Sequence, residues 1–133
     1  MKTLTEIFDE VTSFKQKKRM VAKLKENDTF VVRTVLQANY KDQIKFGFPE
    51  GEPPFTKNEK KVAITDKQIA QLGNCIPSKR SNQVAREALF IKLLEQVNAD
   101  DASLLCLMKD KKLQTKYPTL TVEVINEAIP NLI

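Results

Sequence analysis

Apolar residues recur at three- and four-residue spacing along most of this 133-residue chain, and the regularity fails at length only between residues 39 and 61. That pattern is the signature of amphipathic helices. The chain holds only three glycines, which suits helices better than a turn-rich sandwich. The expected fold is therefore mainly α: a compact bundle of about six short helices forming one domain over 1–133. A long Pro-rich loop interrupts it, and 44–48 admits a short extended segment. At this length about two thirds of the unfolded surface is buried, so no metal or disulfide is needed.

The helices can be placed from caps and stripes. Leu4, Ile7, Phe8, Val11 and Phe14 form the first stripe, and Thr3 with Glu6 reads as a capping box. Ser13 is the expected cap of a second helix over 14–26. Asp28 is the expected cap of a third over 29–38, with Phe30, Val31, Val35 and Ala38 inside. Thr65 or Asp66 starts a short helix that Gly73-Asn74 stops. Ser81 caps a helix over 82–97, with Val84, Ala88, Ile91 and Glu95 on one stripe and Ala85, Leu89, Leu93 and Leu94 on the next, a broad apolar face that suits a central helix. Asp100 caps a helix to 110. Thr121 starts the last, with Val124, Ile125, Ala128 and Ile129 inside.

Much chemistry is excluded. There is no histidine, so Ser-His, Cys-His and His-metal constellations are absent. No Gly-rich phosphate loop occurs. Cys75 and Cys106 are too few for a disulfide framework, and Cys106 within Leu104–Met108 reads as a small buried hydrophobe. Glu50 with Glu52, and Asp100 with Asp101, are the paired carboxylates; a solvated loop and a helix start explain them without catalysis. We expect no enzyme, no cofactor and no metal. The N-terminus lacks the apolar core of a signal peptide, and no run is long enough to span a bilayer, so the default location is the cytoplasm.

Two surfaces remain. The net charge is +5, with the excess in the first two thirds: ten basic against six acidic residues over 1–45, four against six over 93–133. Lys15, Lys17, Lys18, Arg19 and Lys23 form a basic face, read either as a phosphate-contacting surface or as a solvated helix side. Lys79, Arg80 and Arg86 gather at a helix N-terminus, where free amides add to an anion site. The poverty of aromatics, with no tryptophan and two tyrosines, counts against base stacking. The other surface is the loop. Ile44, Phe46, Phe48, Pro53, Pro54 and Phe55 either plug into the core or anchor a partner protein.

The string Phe48-Pro49-Glu50-Gly51-Glu52-Pro53-Pro54-Phe55 resembles the central signature of a family of small uncharacterised proteins of T-even-like tailed phages and their marine relatives. So do Arg86 to Glu95, Asp100-Asp101-Ala102, Lys109 to Leu113, and Asn126 to Pro130. The resemblance implies a phage gene product working in the cytoplasm of the infected bacterial host. It supplies no activity and no functional residues. The leading expectation is a non-enzymatic phage accessory protein. It would bind a component of phage or host nucleic-acid metabolism: a replication, transcription or recombination protein, or DNA or RNA itself. The alternatives are a protein–protein inhibitor of a host enzyme or antiviral defence system, and a minor virion component.

Overall fold

The computed structural model describes residues 1–78 and 82–133. Among them are eight α-helices: α1 (Leu4–Ser13), α2 (Lys17–Glu26), α3 (Phe30–Tyr40), α4 (Asp66–Ala70), α5 (Gln83–Gln96), α6 (Ala99–Lys109), α7 (Leu113–Lys116) and α8 (Val122–Ala128). A 3₁₀ turn, Gln71–Cys75, continues α4 past the expected stop at Gly73. No strand forms among the described residues; the sole β-type pairing there is a bridge between Asn58 and Asn98. The fold is mainly α, as the spacing predicts, and the 44–48 segment is irregular.

Helix α6 is the centre. Leu104, Leu105 and Met108 are fully buried, and α6 packs against α1, α3 and α5. Burial of each such side chain is worth about 1.5–3 kcal/mol. Helix α2 lies against α1 and α8, laying Met20 and Leu24 inward. In α8 the expected stripe holds: Val124, Ile125 and Ala128 are buried within the helix and Ile129 just beyond it.

A helix N-terminus leaves four amides without partners. In α1 the expected capping box forms: Thr3 Oγ1 accepts from Glu6 N, and Glu6 accepts from Thr3 N. Asp101 takes two more. Fully buried in the first turn of α6, it accepts from Leu4 N at 3.0 Å, Thr5 N at 2.8 Å and Thr5 Oγ1 at 2.7 Å. Asn98 Nδ2 donates to it as well, at 2.8 Å. Asp101 is thus a cap for a helix 96 residues away, which joins α6 to α1.

Several caps differ from expectation. Ser13 is the last residue of α1, its hydroxyl turned back to the Glu10 carbonyl, and α2 starts at Lys17. Thr29 rather than Asp28 caps α3; Asp28 pairs with Arg33 instead. Phe30 then becomes the first helical residue, off the inner face of Val32, Val35 and Leu36, and is half exposed. Asn98 rather than Asp100 caps α6. The expected cap at Ser81 lies outside the described residues, and Asn82 caps α5 through Ala85 N.

The largest correction concerns α5. It buries Arg86, Phe90, Leu93 and Leu94, while Val84 is 78% exposed and Leu89 39%. Phe90 decides the rotation. An aromatic ring buries far more apolar area than Val or Ala, and Phe90 is buried with its ring against Phe46 and Phe48 of the irregular loop. That turns Val84 and Ala88 out to solvent.

Candidate functional site

Both sequence-nominated surfaces can now be located. The basic one is the solvent side of α2 and the turn before it. Lys15, Lys17, Lys18 and Arg19 are exposed and Lys23 is half-buried. Two of the five are engaged at the edges of the helix. Lys17 pairs with Glu123 and Glu127 of α8, and these carboxylates raise its pKa; Lys23 pairs with Glu26 and Glu10, with the same effect. Arg19 stacks its guanidinium 4.8 Å from the Phe14 ring centre. Among the described residues Lys15, Lys18 and Lys25 enter no ion pair. The face is a tether between helices with a few free ammonium groups. Of the second basic group, Lys79 and Arg80 lie outside the described residues, and Arg86 is buried. Burial removes Arg86 from the solvent-facing contacts.

The loop is built differently. Phe46 is only 2% exposed and belongs to the core, not to a contact surface. Phe48, half-buried, lies 6.1 Å from Phe46 and 5.5 Å from Phe90, ring centre to ring centre. Ile44 and Phe55 are half-buried against the core, Pro53 is half-buried and Pro54 exposed. The aromatic residues therefore pin the loop, and Phe48 is the less buried of the first pair and lines a cleft.

The polar side of the same clasp comes from Lys109-Asp110-Lys111-Lys112, where α6 ends. The Lys109 side chain is almost wholly buried; its Nζ donates to the Pro49 carbonyl at 2.8 Å and to Asp110 Oδ1 at 2.5 Å. Asp110 Oδ2 accepts from Gly51 N at 2.9 Å, and Lys112 pairs with Glu50. Gly51 sits at a φ of +98°, a backbone state open chiefly to glycine, which suits that turn. Lys111 adopts a left-handed φ of +57°, and Lys112 N returns to the Leu107 carbonyl, closing α6 with a Schellman turn. Lys111 Nζ donates to the Ala38 and Lys41 carbonyls at the end of α3. All four side chains hold other segments: Lys109, Asp110 and Lys112 the loop at residues 49–51, and Lys111 the end of α3.

Between the clasped loop and α5 lies a cleft of about 340 Å³. Phe48, Pro53, Phe90 and Ile91 form its apolar floor, and Glu52 and Glu87 stand at its rim. The volume is at the small end of ligand-sized clefts. Nearby, burial pushes the Cys106 thiol up to about 12, and the negative charge of Glu52 adds to the rise. Beside the cleft, Val84, Ala88 and Ile91 follow the i, i+4, i+7 spacing that puts them on one stripe of α5. Val84 and Ala88 are exposed and Ile91 half-buried. The signal for this wall was in the sequence: the apolar surface of 84–94 is too broad for one buried face.

Among the described residues no three Cys, Asp or Glu side chains stand close enough to hold a metal ion, and no helix is long and apolar enough to cross a membrane. No curated protein and no solved structure matches the chain. A family model does match, over residues 7–115, a span that includes the clasped loop, α5 and α6. The chain belongs to that family, DUF6433, a family of unknown function.

Proposed function

We propose that this chain is a non-enzymatic accessory protein that binds another protein through the cleft between residues 48–54 and α5. The partner is a component of phage or host nucleic-acid metabolism, met in the cytoplasm of an infected bacterium. The observation that carries the binding role is the cleft itself: an apolar floor continued through half-buried Ile91 to the exposed Ala88 and Val84. Contiguous exposed apolar surface marks interaction sites. The phage setting rests on the sequence resemblance. Two of the resembling strings, Phe48 to Phe55 and Arg86 to Glu95, supply the two walls of the cleft.

Affinity purification from infected cells, with nuclease treatment, tests this. The full chain should recover a replication, transcription or recombination protein, and Ile91→Asp should lose it while keeping the thermal midpoint. Recovery of a host effector instead would favour the inhibitor reading, and presence in purified particles the virion one. A second reading is direct contact with nucleic acid, favoured by the free ammonium groups of Lys15, Lys18 and Lys25. Its mark would be DNA or RNA binding at low salt that weakens steeply as salt rises.

A further inference from the structure

The cleft differs from the rest of the surface in charge as well as shape, and the difference bears on what occupies it. We infer that its occupant is a basic, apolar-anchored peptide segment of the partner, with a large apolar side chain on the floor and Lys or Arg against the rim. This rests on the reading of the cleft as the contact surface.

The floor of Phe48, Pro53, Phe90 and Ile91 offers rings and aliphatic groups to whatever enters. A side chain without polar atoms fills it without stranding a donor or acceptor. The rim offers the reverse. Among the described residues Glu52 enters no ion pair, and Glu87 accepts only a side-chain amide, from Gln83 at 2.9 Å. Lys109 lines the cleft yet does not neutralise them, because its Nζ is turned to the Pro49 carbonyl and Asp110. Both rim carboxylates keep lone pairs for an incoming cation, and guanidinium or ammonium groups bind carboxylates with charge-assisted hydrogen bonds.

Field and length point the same way. On a chain of net charge +5, a basic segment is repelled along α2 and attracted at this rim. Phosphates are repelled by the same carboxylates, which argues against nucleic acid here. Ile91 lies seven residues beyond Val84, so the apolar stripe runs roughly 10 Å along α5. That length suits a segment of several residues better than a lone side chain. A second copy is a poorer fit: between Lys18 and Lys25 its basic α2 face presents the small Ala22 and Val21, which is half-buried against its own core.

Panning a random dodecapeptide display library against the immobilised full chain tests this. The leading peptide, fluorescein-labelled, is then titrated by anisotropy. The expected winners carry Lys or Arg beside Leu, Ile, Phe, Met or Trp. Binding should weaken about tenfold or more in the Glu52→Lys, Glu87→Lys double variant, and likewise in Ile91→Asp, with thermal midpoints kept. No enrichment, acidic or uncharged winners, or binding indifferent to these variants would overturn the inference. So would sedimentation showing a dimer that Glu52→Lys with Glu87→Lys dissociates, since the occupant would then be a second copy. The underlying reading fails separately. If Ile91→Asp abolishes partner capture but the winners are not basic, the cleft stands and its chemistry here is wrong. If capture ignores Ile91→Asp, the cleft is not the contact surface.

Discussion

The α2 face and the 48–54 cleft are both surfaces, but they are held in opposite ways. On α2 the charged groups stand in water, and Lys17 and Lys23 lean on carboxylates of neighbouring helices. At the cleft the loop is fixed from beneath by Phe46 and by the buried ammonium of Lys109, and only then presents Phe48 and the rim glutamates. A surface fixed by buried groups is preorganised, so an occupant has less to order on binding. A run of solvated lysines is not. The comparison teaches that charge density alone is a poor guide to a contact surface; what lies under the surface decides.

The comparison can be broken most severely at Phe46. Phe46→Ala should cost about 3–5 kcal/mol, since it empties a core position, and urea unfolding would read it. A small effect would mean that the loop is not pinned. Lys109→Ala should cost about 3 kcal/mol, because it removes the buried cation that pairs with Asp110 and donates to the Pro49 carbonyl. Hydrogen exchange should speed at Gly51, whose amide Asp110 holds; slow exchange there would show that the clasp survives without Lys109.

Alkaline pH sharpens the contrast. Burial pushes the Cys106 thiol up to about 12 from 9.0, the Cys75 thiol up to about 11 from 9.0, and Tyr40 up to about 12 from 10.0. Each folded value lies above the unfolded one. The neutral forms are therefore favoured by folding, and that stability is whole below pH 9 and lost as pH rises toward 11 and 12. The thermal midpoint should fall over that window, and both thiols should resist alkylation until the protein unfolds. Rapid labelling of Cys106 in the native state would contradict its burial. The smallest effect belongs to α2: Lys18→Glu with Lys25→Glu should leave the midpoint nearly unmoved, and a large drop would mean that this face carries more of the fold than its exposure implies.

Periodicity and caps made the helical class, α8 and the α1 capping box readable from the sequence, because those signals are local. The side that α5 buries was not readable. Its two apolar stripes compete, and Phe90 wins only through partners 42 and 44 residues earlier, Phe48 and Phe46. Asp101 looked like a first-turn charge, since nothing near it announces that it caps α1. For the site, the loop residues stand out in the sequence, but nothing there marks Glu52, Glu87, Val84 or Ala88 as surface around a cleft. Lys17 and Lys23 were visible as charges, while their partners on α8 and α1 were not. In each case the missing information is a tertiary contact.

The central claim is that the cleft, and not the basic helix, meets the partner. Its most direct test is to titrate the captured partner into ¹⁵N-labelled chain and follow backbone amide shifts. The largest perturbations should fall on residues 48–55 and 84–91, with 15–25 little changed; perturbations concentrated on 15–25 with the cleft amides unmoved would contradict it.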